Sequence, residues 1–189
     1  GVVKDITASK RMEAEILALS ITDQLTGLHN RRGFLSLAEQ QLKLSNRNKR
    51  GMLLFFADLD GLKWINDTFG HEEGDRAIIE AAIALRETFR TSDIIARLGG
   101  DEYAALSGDI TEANSEIFIT RLQYLIDKLN TLENRRYRLS ISVGCSYYDP
   151  ENPCSIDELM VRADKLMYEQ KQNKKGLLLQ GPPLFFDHS

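Results

Sequence analysis

The sequence predicts an α+β fold, in which a hairpin and several long helices pack on a mainly antiparallel sheet. Three observations carry this. Met52–Ala57 is a short apolar run bounded by a polar loop and by Asp58, the pattern of a buried strand. Ile94–Leu98 and Tyr103–Leu106 flank Gly99-Gly100-Asp101-Glu102, and two β-like runs joined by a short Gly-Gly segment signal a hairpin. Tyr137, Leu139, Ile141, Val143, Cys145 and Tyr147 alternate with Arg138, Ser140, Ser142 and Ser146, as in a strand with one buried face.

The elements follow in order. Asp5–Leu19 reads as a helix that Asp5 or Thr7 caps. Its apolar stripe, Met12, Ile16 and Leu19, is narrow, and suits a two-helix seam as well as packing on its own domain. Ser20–His29 is a break with a turn at Thr26-Gly27, after which Asn30 caps a helix carrying Phe34, Leu37, Ala38 and Leu42 on one face. Ser45–Gly51 reads as a loop, Leu62–Phe69 as a short helix, and Glu72–Phe89 as a longer one with Ile78, Ile79, Ala82, Ile83, Leu85 and Phe89 inward. Thr111–Leu132 is a further helix. Ser155-Ile156-Asp157-Glu158 is a capping box opening a helix that reaches about Lys171. Leu177–Leu179 reads as a last edge strand, and the tail with Pro182-Pro183 as loosely ordered. The division expected is a linker helix over 1–20, a main domain over 21–175 and a C-terminal strand and tail over 176–189.

Composition narrows the function. The 189 residues suit one domain with short extensions, and the net charge of −4 argues against a general nucleic-acid binder. Cys145 and Cys154 are the only cysteines and form no disulfide framework, which fits a reduced, cytoplasmic setting. No run approaches the ~18 apolar residues of a membrane span. The chain starts at Gly1 without methionine and is read as a piece of something longer, whose parent is free to be membrane-associated.

Two acidic clusters carry the chemistry. Strand alternation sends Asp58 and Asp60 to the same side at the end of an apolar strand, and paired carboxylates are most simply explained by a cation between or near them. At the hairpin tip Asp101 and Glu102 follow two glycines, which let a ligand approach without a Cβ in the way. Each cluster alone is a common polar strand end or acidic turn; together they point to a two-carboxylate Mg²⁺ site. His29, His71 and His188 lack zinc-ligand spacing, and there is no Gly-x-x-x-x-Gly-Lys loop.

Arg97-Leu98-Gly99-Gly100-Asp101-Glu102-Tyr103 closely resembles the Gly-Gly-(Asp/Glu)-Glu-Phe signature of the GGDEF family of diguanylate cyclases. Asp23 to Arg32, Asp58 to Lys63 with Asn66-Asp67 and Gly70-His71, and Ala163-Asp164 with Tyr168 and Lys171 match the family in the expected order. The resemblance covers about Ile21 to Lys175.

It implies a ferredoxin-like palm related to adenylyl cyclase catalytic domains, and condensation of two GTP into cyclic di-GMP. Asp58, Asp101 and the Leu59 carbonyl would hold Mg²⁺ (or Mn²⁺). Asn66 and Asp75 would read guanine. Leu62, Lys63, His71, Gly99, Gly100, Lys171 and Lys175 would bind the rest of the nucleotide, and Glu102 would receive or guide the 3′-hydroxyl proton. Catalysis would need a two-fold homodimer, since each domain holds one GTP. Arg90-Thr91-Ser92-Asp93 resembles the family's inhibitory cyclic di-GMP site, with Arg121 as a further contact; in isolation a helix C-terminus with a local ion pair is the commoner explanation. Asp5-Ile6-Thr7 ahead of a charged helix resembles the end of a PAS sensor domain, which would set domain pairing from upstream.

The sequence departs from the family at Tyr103 (usually phenylalanine), Lys174 (usually glycine), Lys175 (usually arginine), Gly61 and Leu62. None of these removes a metal ligand. Two other readings keep the fold: a regulatory module binding GTP or cyclic di-GMP without turnover, and a palm making a hybrid cyclic dinucleotide. The intact glycines and carboxylates favour the active cyclase, and Asn66 with Asp75 favours guanine.

Overall fold

Met52–Leu59 is buried at every residue, because as strand β1 it lies inside the sheet with helices on both sides. In this computed structural model residues 20–132 and 135–178 are described, together with Lys10, Met12 and Ile16. Around β1 the chain forms helix α1 (Arg31–Asn48), α2 (Leu62–Phe69), α3 (His71–Thr88), strands β2 (Ile94–Gly99) and β3 (Glu102–Gly108), a 3₁₀ turn (Glu112–Asn114), α4 (Ser115–Asn130), β4 (Ile141–Tyr148) and α5 (Ile156–Leu178). The sheet has four strands in the order β2-β3-β1-β4, every pair antiparallel. The expected α+β fold is the one observed.

Alternation along β1 divides the core into two layers. Leu53, Phe55, Ala57 and Leu59 face α3 and α4, where Phe55 meets Phe89 and Phe118 at 5.1 and 5.3 Å between ring centroids. Met52, Leu54 and Phe56 face α1 and α5, against Phe34, Ala38, Leu159, Ala163 and Met167. The local start signals hold: Asn30 accepts from the Gly33 N–H at 2.9 Å, and Ser155 and Glu158 close the capping box.

Several expectations are corrected. Ser45–Asn48 continue α1 instead of opening a loop, and the helix stops at Lys49, whose left-handed backbone returns its N–H to the Ser45 carbonyl. Ile79 and Ile83 are exposed, not inward: the buried residues of α3 are Gly74, Ala77, Ile78, Ala81, Ala82, Ala84, Leu85 and Thr88, and at Gly74 the helix lies close against Asn66 of α2. The fourth strand begins at Ile141, not Tyr137, and Ser142, Gly144 and Ser146 are buried too, because α5 covers the second face. Leu177 and Leu178 extend α5 past Lys171, so they form no edge strand. The tail from Leu179 lies outside the described residues. So does the N-terminal helix, except Lys10, Met12 and Ile16, which are helical and exposed.

Tyr103, opposite Ala57 in the β1–β3 register, points into the α3 layer and donates its hydroxyl to the Ile78 carbonyl at 2.9 Å. Its phenol is fully buried, so this bond spares the hydroxyl an unsatisfied burial. Tyr103→Phe is expected to cost about 1 kcal/mol in chemical denaturation and to leave turnover close to the parent's; a loss of several kcal/mol would contradict this reading.

Candidate active site

The strand parity that builds the core also places the charges. Asp58 and Asp60 continue the series Met52, Leu54, Phe56 and therefore face α5. Asp58 lies directly opposite Glu102 of β3 and Ser142 of β4, so one end of the sheet gathers these polar groups. The hairpin tip is fastened to the same end, where the Leu59 N–H donates to the Asp101 carbonyl at 2.9 Å. Gly100, at φ 47°, takes the left-handed turn that brings the chain back.

Two lysines one helical turn apart on α5 meet the two carboxylates. Lys171 Nζ donates to Asp58 Oδ1 at 2.5 Å. Lys174 Nζ donates to Asp60 Oδ2 at 3.2 Å, Ser140 Oγ at 3.2 Å and the Ile141 carbonyl at 2.6 Å. Asp60 also accepts from the Ser140 and Ser142 hydroxyls at 2.7 and 2.8 Å. Its oxygens are thus taken up by the protein itself. The cation near each member of the pair is a lysine ammonium, Lys174 at Asp60 and Lys171 at Asp58, and only Asp60 is also engaged by two serine hydroxyls.

The electrostatics separate the two carboxylates further. Burial pushes the Asp58 carboxyl above the ordinary carboxylate range, and Asp101 and Asp60 add to this although Lys171 donates to it. Burial opposes the Lys171 ammonium, but the Asp58 hydrogen bond together with the negative charges of Asp58, Asp60 and Asp101 outweighs it and raises the lysine above its ordinary value. Both groups are partly buried, and the carboxylates of Asp60 and Asp101 add negative charge around them. A divalent cation would offset that charge, and the donors fit one. Among the described residues no three carboxylate, imidazole or thiolate groups form an all-protein cage. Two carboxylates and a carbonyl, completed by water and phosphate, are the set Mg²⁺ commonly uses.

The remaining candidates fall into three places. Leu62 and Lys63 open α2 immediately after the end of β1, with Leu62 buried and Lys63 exposed. Asn66 packs over Gly74: a Cβ there would lie 1.8 Å from Asn66 Oδ1, so glycine makes room for the amide beside exposed Asp75 and His71. Gly99 and Gly100 are exposed at the tip, and Lys175 is exposed near the end of α5. Arg90 and Asp93 stand at the other end of β2, six residues of strand away from the tip and so ~20 Å distant. Asp93 accepts from the Arg90 N–H at 2.8 Å and the Ser107 hydroxyl at 3.0 Å, which fixes the turn and leaves the Arg90 side chain exposed. Phe89 stacks on Phe118 at 5.0 Å and so packs α4 near this turn, while Arg121 lies on the exposed stripe of α4 with Ile117, Thr120 and Tyr124.

Some supporting residues were not singled out from the sequence. Ser140, Ser142 and Gly74 carry no local signal, because each matters only through a partner distant in the chain. Arg97 and Asp23 lie inside quoted motifs, and their contact explains them. Arg97 Nε and Nη2 donate to the Gly100 carbonyl at 2.9 and 2.8 Å, and its Nη1 donates to Asp23 at 3.2 Å. Asp23 also accepts from the Thr26 N–H and hydroxyl at 2.9 and 2.7 Å.

Burial alone would raise the Asp23 carboxyl, but the Thr26 hydrogen bonds and then Arg97 hold it below the ordinary range. The sign follows: this stabilisation is present above the unfolded value, near pH ~3.9, and is lost as pH falls through the lower folded value. Asp23→Asn is expected to cost about 2 kcal/mol at neutral pH and to lose less further stability on acidification than the parent. Melting curves across pH test this, and parallel acid limbs would contradict it.

The comparisons with known proteins agree with this geometry. The profile of the family described as diguanylate cyclase, GGDEF domain, matches residues 20–176. The bifunctional diguanylate cyclase/cyclic di-GMP phosphodiesterase MucR of Pseudomonas aeruginosa is 35% identical over 171 residues, covering 90% of this chain and 25% of MucR. The probable diguanylate cyclase DgcC of Escherichia coli K12 is 33% identical over 177 residues, covering 91% of this chain and 47% of DgcC. The chain thus spans less than half the length of these relatives. Among solved structures, the coiled coil and GGDEF domain of DgcB from Caulobacter crescentus in complex with c-di-GMP superposes with a TM-score of 0.73 at 25% identity, covering 90% of this chain and 93% of that one. The diguanylate cyclase SiaD in complex with its activator SiaC, from Pseudomonas aeruginosa, gives a TM-score of 0.72 at 28% identity, covering 90% of this chain and 67% of that one. No helix among the described residues is long and apolar enough to cross a membrane. The profile match over most of the chain, on a sheet that brings the Gly-Gly-Asp-Glu tip to the end of β1, makes this chain a member of the diguanylate cyclase GGDEF domain family.

Proposed function

We propose that this domain condenses two GTP molecules into cyclic di-GMP and two pyrophosphates. The observation that carries the reading is the meeting of Asp58, the Leu59 backbone and Asp101 beside Lys171 at one end of the sheet. Asp58, Asp101 and the Leu59 carbonyl would hold Mg²⁺ or Mn²⁺. A cation held there would supply Lewis acidity, lowering the pKa of the 3′-hydroxyl and offsetting charge on the pyrophosphate.

The chain's own groups do the rest. Phosphoryl transfer needs positioning and charge stabilisation more than covalent chemistry. Lys63, Lys171 and Lys175 neutralise the triphosphate, and the first turn of α2, directly after β1, presents backbone N–H groups to it. Leu62, His71, Gly99 and Gly100 border the nucleotide. Asn66 serves the acceptor and donor edge of guanine while Asp75 accepts from its N1–H and N2–H. Glu102, paired with Asp58 across the sheet, receives or guides the 3′-hydroxyl proton. Each new 3′-O–P bond forms as the bond from the α-phosphate to pyrophosphate breaks.

One domain supplies one GTP, so two copies face each other about a two-fold axis. The DgcB complex with c-di-GMP and the activator-bound SiaD support nucleotide and protein partners for such a domain. Arg90, Asp93 and Arg121 form the inhibitory product site, with Asp93 already oriented by Ser107. An upstream sensor would act through the N-terminal helix, and the domain would work in the cytoplasm.

Specific activity measured across protein concentration tests the reading. It is expected to rise with concentration until the dimer forms; GTP turnover to another product, or activity independent of concentration, would contradict it. Gly74→Ala gives a second test. It improves helix propensity but drives a Cβ into the Asn66 amide. GTP affinity is expected to fall about tenfold, with a melting temperature no lower than the parent's. Unchanged affinity would remove Asn66 from the guanine site.

A further inference from the structure

Asp58 is asked to serve two cations. Its Oδ1 accepts from Lys171 Nζ at 2.5 Å, and the Asp58 side chain is 10% exposed, so little water reaches the carboxylate. Yet on the cyclase reading the same carboxylate would hold the divalent cation, and the same lysine would bind the triphosphate. An ammonium in contact with Asp58 already neutralises it. A dication arriving at Oδ2 would gain little and would be repelled by the ammonium a few ångströms away.

We propose that Lys171 is an exchangeable counter-ion, seated on Asp58 until the divalent cation takes that carboxylate and the lysine passes to the triphosphate. The inference rests on the cyclase reading above. It makes metal and nucleotide binding a single coupled exchange. The metal alone must displace the lysine into solvent, and the triphosphate alone must draw it off a buried carboxylate. Arriving together, each supplies what the other removes.

The surroundings favour a swing of Lys171 over a shift of the helix. Lys174, the next turn of α5, is tied to Asp60, Ser140 and the Ile141 carbonyl, and Gln170 Oε1 accepts from the Val143 N–H at 2.6 Å. These bonds hold α5 on β4 on either side of Lys171. Lysine is suited to the exchange: it is a flexible stem with a point charge that can change partners without needing a planar fork to match. Lys174 adds a second effect. By engaging Asp60 it occupies that carboxylate, which leaves Asp60 a poorer competitor for the cation than Asp58.

Mn²⁺ binding to the whole chain, followed by electron paramagnetic resonance with and without a non-hydrolysable GTP analogue, tests the proposal. The parent is expected to bind Mn²⁺ weakly alone and at least about tenfold more tightly with the analogue. Lys171→Met is expected to bind Mn²⁺ alone about tenfold more tightly than the parent, and to bind the analogue less well. If Lys171→Met bound Mn²⁺ no better than the parent while the analogue still enhanced binding in both, the exchange would be wrong and the cyclase reading would stand. If neither protein bound Mn²⁺ with or without the analogue, the metal site and the cyclase reading would fall together. Should Lys171→Met not fold, nitrogen-15 spectra of the lysine side chains of the parent decide. The Lys171 ammonium signal should shift when Mg²⁺ and the analogue are added together and much less with either alone; equal response to Mg²⁺ alone would overturn the coupling.

Discussion

Asp101→Ala is expected to reduce cyclic di-GMP formation by about 10³-fold or more while the protein stays folded. The structure separates the two effects at this residue. The hairpin tip is held by backbone and by Arg97: the Asp101 carbonyl accepts from Leu59, and the Gly100 carbonyl accepts from Arg97. Among the described residues the Asp101 carboxylate makes none of the hydrogen bonds that fasten this tip, so its removal leaves the fastening in place. It even relieves the crowding of negative charge that raises Asp58. A melting temperature equal to or slightly above the parent's, with turnover lost, is the expected pairing. Turnover within tenfold of the parent's would remove Asp101 from the metal site. Asp58 is the poorer probe, because its removal also strands the Lys171 ammonium.

The largest effect on stability is expected at Gly144. This residue lies in β4 where α5 crosses closest. A Cβ there would stand 1.9 Å from the Ala163 carbonyl oxygen and 2.3 Å from the Met167 backbone nitrogen. Both are atoms of the helix backbone, so relief requires moving α5 away from the sheet instead of turning a side chain. Gly144→Ala is therefore expected to cost about 3 kcal/mol in urea denaturation, or about 10 °C in melting temperature. Gly51 offers the contrast, since the atoms nearest its Cβ would be those of the Tyr147 side chain, not helix backbone. Because α5 carries Lys171 and Lys174, Gly144→Ala should also weaken GTP binding in the fraction that remains folded. A cost below about 1 kcal/mol would mean that α5 sits less tightly on β4 than the structure has it.

What could be read from the sequence was what depends on neighbours in the chain. Asn30 and Ser155 announce their helices through residues three positions on, and the two β-like runs around Gly99-Gly100 announce the hairpin. The apolar run ending at Asp58 announced a buried strand with a carboxylate at its end. What stayed hidden depends on contacts across long separations. The alternation of Ser140 and Ser142 with apolar residues suggested an exposed face; only the arrival of α5 turns it into a buried cradle for Asp60. Ile79 and Ile83 match the helical period of an inward face, yet the neighbouring alanines decide which side of α3 touches the sheet. Lys174 read only as a departure from the glycine usual at that position. In the structure it is the partner of Asp60, a role that spacing along α5 could have shown only with the β1 parity already in hand.

The central claim is tested most directly by incubating the chain with GTP and Mg²⁺ at a concentration where the dimer is confirmed, then separating the nucleotides by chromatography and assaying pyrophosphate. The account predicts cyclic di-GMP and pyrophosphate in a ratio of one to two. Bound GTP that persists unchanged on the dimer would contradict it, and would leave a nucleotide-binding regulatory module in place of the enzyme.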